Sequence, residues 1–338
     1  MAGRARIGDV AKLAGVSTAT VSRVLTGNVP VSPQLRERVL DAAAQLDYSV
    51  NPAARALRSD RTSSVGIVVP DLTNPFFTAL VDQVERGLRD LGLSLHVCSS
   101  AGDVAIERDR VRSLQRSQVE VLVVTPVDHE ASGEVLREAA ASVPLVMLDQ
   151  VAADVDSDWV GTDESEGMRL VVDHLVEQGV RTAAYVGAQP LDSSSIKRYD
   201  AVREHAAGRG IELVGGDELL GQFSVEWGVE AARRLADRTL PEAVVCAADV
   251  IALGVLQELD ARGVAVPEDA LVTGYDDIPL SSHPRLSLTT VRQPLAEISA
   301  RAVALVEDLR GGGDDRVPVH EALLPRLVVR SSSSRSTQ

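Results

Sequence analysis

Seven side chains in IGDVAKLAGVSTATVSRVLT (residues 7–26) have the types and spacing to do chemistry: Ser17, Thr18, Ala19, Thr20, Ser22, Arg23 and Thr26. Together they offer hydroxyls, a bare methyl and a guanidinium on one short segment. Such a set hydrogen-bonds phosphate oxygens and reads the edges of bases. Arg23 is long enough for a bidentate contact with guanine. Ala19 offers only a methyl, which suits the methyl of thymine, and Thr18 carries both a hydroxyl and a methyl. Ser17, Thr20, Ser22 and Thr26 are spaced for phosphates. For Thr20 and Ser22, a hydroxyl bond within their own helix is an equal reading.

Two helices and a turn must hold these groups. Ile7, Val10, Ala11 and Ala14 fall at helical spacing, and Gly15 stops that helix as a C-terminal glycine does. Val16 turns inward. Ser17 caps a second helix whose apolar stripe is Ala19 or Thr20, then Val21, Val24 and Leu25. Two helices around a glycine turn, the second opening on small polar residues, make a helix-turn-helix. Its second helix enters a major groove. Ser32-Pro33 starts a third helix that runs to about Leu46. Its Leu35, Val39, Ala42, Ala43 and Leu46 close the core beneath the first two. Asn51-Pro52 opens a brief further helix through AARAL, too short to be stable alone in water.

The charge distribution fits that reading. The chain of 338 residues carries a formal −15, which by itself argues against nucleic acid. Residues 1–62, however, hold nine Arg or Lys against five Asp or Glu, a formal +4, which leaves −19 on the remainder. A basic head on an acidic body docks one end on DNA and keeps the rest away. Hydrophobic residues make up 45% of the chain, enough for one large or two medium domains behind the head. Cys98 and Cys246 sit in apolar, strand-like runs and read as reduced core residues of a cytoplasmic protein. The six histidines lack ligand spacing. No apolar run reaches membrane-spanning length, and the N-terminus lacks a signal-peptide core. Neither a nucleophile–base pair, nor paired acids, nor a Walker or G-x-G-x-x-G loop stands out. The expectation is therefore no enzyme, no catalytic residue, no metal and no cofactor.

From Val65 onward, short β-branched runs alternate with amphipathic segments. Strand candidates are Val65–Val69, Leu93–Val97, Val119–Thr125, Leu145–Asp149, Thr182–Val186, Ala243–Ala247 and Ala270–Tyr275. Helices over Phe77–Leu91 and Glu166–Gln178 lie among them. Repeated βαβ units predict parallel sheets covered by helices. The strands outnumber one ordinary sheet, so two lobes with a cleft are expected, with ligand at the carboxyl ends of the strands. The tail from Ser331, SSSSRSTQ, reads as disordered, and it carries no leucine heptads.

The run DVAKLAGVSTATVSRVL resembles the N-terminus of the lactose/galactose repressor (LacI/GalR) family almost residue for residue. The resemblance continues through VGIVVPDLTNPFF (65–77), HLVEQG (174–179), ALGVLQELDARGVAVPEDALVTGYDD (252–277) and LTTVRQP (288–294). It implies a small all-α helix-turn-helix headpiece at 1–50 and a hinge helix with linker at 51–63. A two-lobed α/β core resembling periplasmic sugar-binding proteins would follow at 64–330. Lobe 1 would take about 64–161 and 292–321, lobe 2 about 162–291 and 322–330, and 331–338 would be the disordered tail. It further implies a homodimer on pseudo-palindromic operator DNA, most often repressing sugar-uptake or catabolic genes under control of a small effector.

The resemblance also assigns residues. Leu57 falls where the family wedges a leucine into the minor groove, which kinks the duplex. Arg55, Arg58 and Arg61 flank it, and Asn51 and Ala54 complete the DNA-contacting set. Phe76, Phe77 and Phe223 fit the family's stacking positions; Asp149, Arg198, Asp249 and Asp276 fit its polar ones, with Gln293 at the hinge. Several acids with one guanidinium favour a neutral, sugar-like polyol over a phosphate or carboxylate. Three positions depart from the family pattern. Gln150 stands for a common arginine, Ala248 for the asparagine that usually precedes Asp249, and Val180 for a usual histidine. The rival readings are a regulator of nucleoside, purine or sugar-phosphate response, and a sugar-binding protein without regulatory role.

Overall fold

The computed structural model describes residues 5–26, 31–48, 62–312 and 316–335. The expected roles of Asn51, Ala54, Arg55, Leu57, Arg58 and Arg61 lie outside the described residues, as does the side chain of Thr26. The chain divides into two compact units at Ser63 and Ser64.

The first unit is three helices, α1 (Ile7–Ala14), α2 (Thr18–Thr26) and α3 (Pro33–Gln45). The Asp9 carboxylate accepts the Arg6 N–H at 2.8 Å and so caps the start of α1. Gly15 ends it with φ 65°, where a side chain would be strained. The Arg38 guanidinium of α3 donates to the Ala14 carbonyl there. Val10, Ala11 and Ala14 meet Val21 and Val24 of α2 and Val39, Ala42 and Ala43 of α3 in one core. Of the two candidates for the inner face of α2, Thr20 is half-buried and Ala19 is exposed.

The second unit begins with β1 (Ser64–Val69), α4 (Pro75–Asp90), β2 (Ser94–Ser99), α5 (Val104–Arg116), β3 (Val121–Val124), α6 (Gly133–Ala140), β4 (Leu145–Leu148) and β5 (Asp158–Thr162). It continues with α7 (Glu164–Glu177), β6 (Thr182–Ala188), α8 (Ser193–Arg209), β7 (Glu212–Leu213), β8 (Leu220–Gly221), α9 (Val225–Ala236), β9 (Ala243–Cys246), α10 (Asp249–Ala261) and β10 (Leu271–Asp276). The last elements are β11 (Thr289–Arg292), α11 (Leu295–Gly311), β12 (His320–Leu323) and β13 (Arg326–Val328).

Two sheets result. The first runs β12-β5-β4-β3-β1-β2, every pair parallel. The second runs β13-β11-β10-β9-β6-β7, with β8 on β6 and only β13 antiparallel. Strands buried on both faces must be apolar throughout, which is why SVGIVV, VLVV, LVML and AVVC stand out as runs without alternation. The chain passes between sheets three times: after β5, between β11 and α11, and between β12 and β13. In the second lobe, α9 and α10 touch backbone to backbone. A Cβ on Gly228 would lie 2.1 Å from the Ile251 carbonyl oxygen, and one on Gly254 2.0 Å from that of Val225.

The sequence reading missed β5, β7, β8, β11, β12 and β13, whose polar residues or shortness break the apolar signal. The expected disorder from Ser331 is corrected over the described residues 331–335. Ser331–Ser333 form a 3₁₀ turn, and Ser332 and Ser333 are buried. The Ser332 hydroxyl donates to the Val272 carbonyl at 2.6 Å and accepts the Thr289 N–H at 2.8 Å. The Ser333 hydroxyl donates to Thr289 Oγ1 at 2.6 Å and lies 2.7 Å from His174 Nε2. Serine hydroxyls that read as low complexity here finish the hydrogen bonding of β10 and β11. Ending the chain at Arg330 removes these bonds and leaves the Thr289 N–H buried without a partner. The expected loss is about 2–4 kcal/mol of core stability, read as a drop of several degrees in the thermal melt of the truncated protein.

Candidate functional site

The carboxyl ends of the central strands converge on one cleft between the lobes. Asp149 and Gln150 follow β4, Asp276 ends β10, and Gln293 follows β11. Asn74, Phe76 and Phe77 come from the start of α4, Ser194 and Arg198 from α8, and Phe223 from the segment before α9. These ten residues line a single small cavity. All three phenylalanines of the chain are among them.

Local chemistry fixes each position. Asn74 caps α4 by accepting the Phe76 N–H at 3.0 Å, with Pro75 in the first turn. That start aims both phenylalanines inward, their rings edge to face at 5.1 Å. Asp149 and Asp276 both have positive φ, 66° and 111°, unusual for residues with side chains and a form of backbone strain found at binding sites. Arg198 is 3% exposed. Its Nε and Nη2 hold both oxygens of Glu164 at 2.7 and 2.9 Å, and Nη1 donates to the Ala247 carbonyl at 2.8 Å. The guanidinium lies over the Tyr275 ring, 3.7 Å from its centre, and 3.9 Å from Asp276. Gln293 donates to Asp276 Oδ1 at 2.8 Å and accepts the Thr162 hydroxyl at 2.6 Å. It thus links two of the crossing segments to the cleft floor.

These groups are buried. Asp149 Oδ1 and Gln150 Oε1 are buried without a hydrogen-bond partner. Burial pushes the Asp149 carboxyl up to about 8, with the nearby Glu164 charge adding to the shift. Burial likewise holds Asp276 well above the usual carboxylate range, against the pull of Arg198. The lobes meet directly beside the cavity. His129 N–H donates to the Leu191 carbonyl at 2.7 Å, Val151 N–H to Ser193 Oγ at 2.9 Å, and the Lys197 ammonium lies 4.9 Å from the centre of the Trp159 ring.

On the headpiece, Ser17, Thr18, Ala19 and Arg23 are exposed at or along α2, and Ser22 is half-buried. The Ser17 hydroxyl accepts the Thr20 N–H at 3.1 Å and lies 2.9 Å from Thr20 Oγ1. Both hydroxyls therefore serve the helix start as well as facing outward.

Comparison with known proteins agrees with this geometry. A profile of bacterial regulatory proteins, lacI family, matches residues 6–51, and one of the periplasmic binding protein-like domain matches residues 172–333. The ribose operon repressor of Escherichia coli (strain K12) is 34% identical over 299 residues, covering 87% of this chain and 90% of that one. The HTH-type transcriptional repressor PurR of Mannheimia succiniciproducens is 30% identical over 332 residues, covering 97% and 98%. The chain belongs to the lacI family of bacterial regulatory proteins. The crystal structure of the lac repressor dimer bound to operator and the anti-inducer ONPF superposes with a TM-score of 0.85 at 25% identity, covering 98% and 99%. As a lacI-family regulator, this protein is a DNA-binding transcriptional regulator with an α/β ligand-binding core.

Of the eight effector residues expected, the cavity gathers Phe76, Phe77, Asp149, Arg198, Phe223, Asp276 and Gln293. Asp249 is corrected: it is fully buried behind the cleft floor. Its carboxylate accepts the Ile278 N–H at 2.8 Å and the hydroxyls of Ser281 and Thr290, both at 2.6 Å. With those acceptors occupied it braces α10 against β11. Neighbouring Asp277 binds Arg292 and Arg330, each at 2.6 Å. Sequence reading missed Asn74 and Ser194 and noted Gln150 only as a departure from the family pattern. The signals were present in the NPFF cap, the residue after Asp149 and the opening turn of α8.

The high carboxyl value at Asp149 sets a pH dependence. An acid raised in the folded state favours folding fully below its unfolded value near about 4 and loses that contribution as pH rises through about 8. Asp149→Asn removes this loss. The melting temperature of the ligand-free variant, relative to the parent, is expected to climb across that range, by a few degrees at its upper end.

Proposed function

We propose that this regulator represses genes of carbohydrate uptake or breakdown and is controlled by a small, sugar-like polyol bound between its lobes. The observation that carries this reading is the convergence of every phenylalanine of the chain with Asp149, Arg198 and Asp276 on one small cavity. Aromatic faces cover the apolar side of a sugar ring, while carboxylates accept hydrogen bonds from its hydroxyls and a guanidinium donates to its oxygens. The likeness to a ribose operon repressor supports the same class. A purine is the second reading, favoured by the three phenyl faces and by the likeness to PurR.

The protein acts in the cytoplasm as a homodimer on a pseudo-palindromic operator, without catalysis, metal or cofactor. The likeness to a lac repressor dimer on its operator supports that assembly. Ser17, Thr18, Ala19, Thr20, Ser22, Arg23 and Thr26 contact the major groove and its phosphates. Asn51, Ala54, Arg55 and Leu57 serve the minor groove. Effector shifts operator affinity because it binds the closed lobes more tightly than the open ones; equal affinity would shift nothing.

Two measurements test this. In a thermal-shift panel of monosaccharides, sugar alcohols, nucleosides and sugar phosphates, a monosaccharide or polyol is expected to raise the melting temperature by a few degrees at saturation. It should also change affinity for duplexes selected from a random pool. A response confined to phosphates or nucleosides sinks the sugar reading. Leu57→Ala should weaken binding to the selected duplex roughly tenfold or more, since the wedge and its bend are lost, while the ligand-induced shift persists. Unchanged duplex affinity refutes the wedge.

A further inference from the structure

The charges around the cavity do not balance, and this bears on what a ligand of the kind proposed above must bring. Its only lining guanidinium, Arg198, is committed to Glu164 through two hydrogen bonds. Asp149 and Asp276 remain. Asp276 keeps the Gln293 amide at 2.8 Å and Arg198 Nη1 at 3.9 Å. Asp149, 4% exposed, has no partner for Oδ1, and the next residue, Gln150, 5% exposed, has none for Oε1. Lys197 does not fill the gap: it is exposed, lies over Trp159 and is absent from the cavity lining.

A neutral sugar satisfies acceptors but brings no cation to two buried carboxyl groups. An uncompensated buried carboxyl then takes up a proton and loses acceptor capacity. An ammonium brings three donors, no acceptor and one positive charge, and charge-assisted hydrogen bonds are roughly twice as strong as neutral ones. We propose that the effector is an amino-substituted monosaccharide or polyol whose ammonium sits against Asp149 and Gln150, its ring covered by the phenylalanines. Burial and the Glu164 charge push the Asp149 carboxyl up against the pull of Arg198 and Lys197, and an added cation would relieve that push. Phosphorylated and carboxylated sugars are excluded by the same charge.

The test is isothermal titration of the full-length protein near neutral pH with matched pairs: glucosamine and glucose, galactosamine and galactose, mannosamine and mannose, glucamine and sorbitol. In at least one pair the amino member is expected to bind roughly tenfold or more tightly. Gln150→Arg, which supplies the cation from the protein, should erase that preference and strengthen the neutral member. Asp149→Asn should erase it without strengthening either, with a cooperative melt confirming that each variant folds. Neutral members binding as tightly as their amino partners in every pair overturn the ammonium and leave the sugar reading intact. An amino preference that survives in both variants overturns its placement at Asp149 and Gln150. Failure of every compound overturns the inference and the sugar reading together.

Discussion

The second lobe is organised around one buried ion pair. Arg198 and Glu164 are almost wholly out of water, where an unpaired charge would cost several kcal/mol. The cost is offset because all the geometry favours it: a two-pronged bond, a carbonyl at the third nitrogen and an aromatic ring beneath. Each partner comes from a different element. Glu164 opens α7, Arg198 lies on α8, Ala247 follows β9 and Tyr275 is the last but one residue of β10. The pair therefore holds the carboxyl ends of the sheet in register with the helices that cover them. The cleft wall is the consequence, so Arg198 is at once part of the fold and part of the binding surface.

The link from that wall to the hinge runs through Gln293. Its amide joins Asp276 at the cavity to Thr162 at the end of β5, where the chain first leaves the first sheet. A rotation of the lobes must change this pair of hydrogen bonds, since its partners stand on segments that cross between them. The contacts of His129 with Leu191 and Val151 with Ser193 hold the same closed arrangement from outside the cavity. Closure thus draws on residues that adjoin the cavity, which is the physical requirement for a ligand bound there to bias it.

Much of this was legible in the sequence because periodicity and caps are local. The headpiece helices follow from apolar spacing, Gly15 and Ser17, and the central strands from unbroken β-branched runs. What failed was non-local. Asp249 has the type and setting of a ligand residue, and only the folding of Ser281 and Thr290 onto it reveals a brace. The serine tail lacks apolar signal, yet its hydroxyls complete β10 and β11, forty or more residues away in sequence. Gln150 drew notice only as a departure; its meaning depends on Arg198 being already committed to Glu164, which no spacing discloses.

The chain has two tryptophans. Trp227 stays within the second lobe, its indole N–H held by the Gly187 carbonyl at 2.9 Å. Trp159 belongs to the first sheet but carries the Lys197 ammonium of the opposite lobe on its ring, and its indole N–H donates to the carbonyl of Asp149 at 3.3 Å. One indole is thus bound to the residue at the centre of the cleft and capped by a charge that leaves when the lobes part. The partners of the other, Gly187 and Arg234, both lie in its own lobe. The molecule carries an internal optical gauge of its own opening, with a reference beside it, requiring no label.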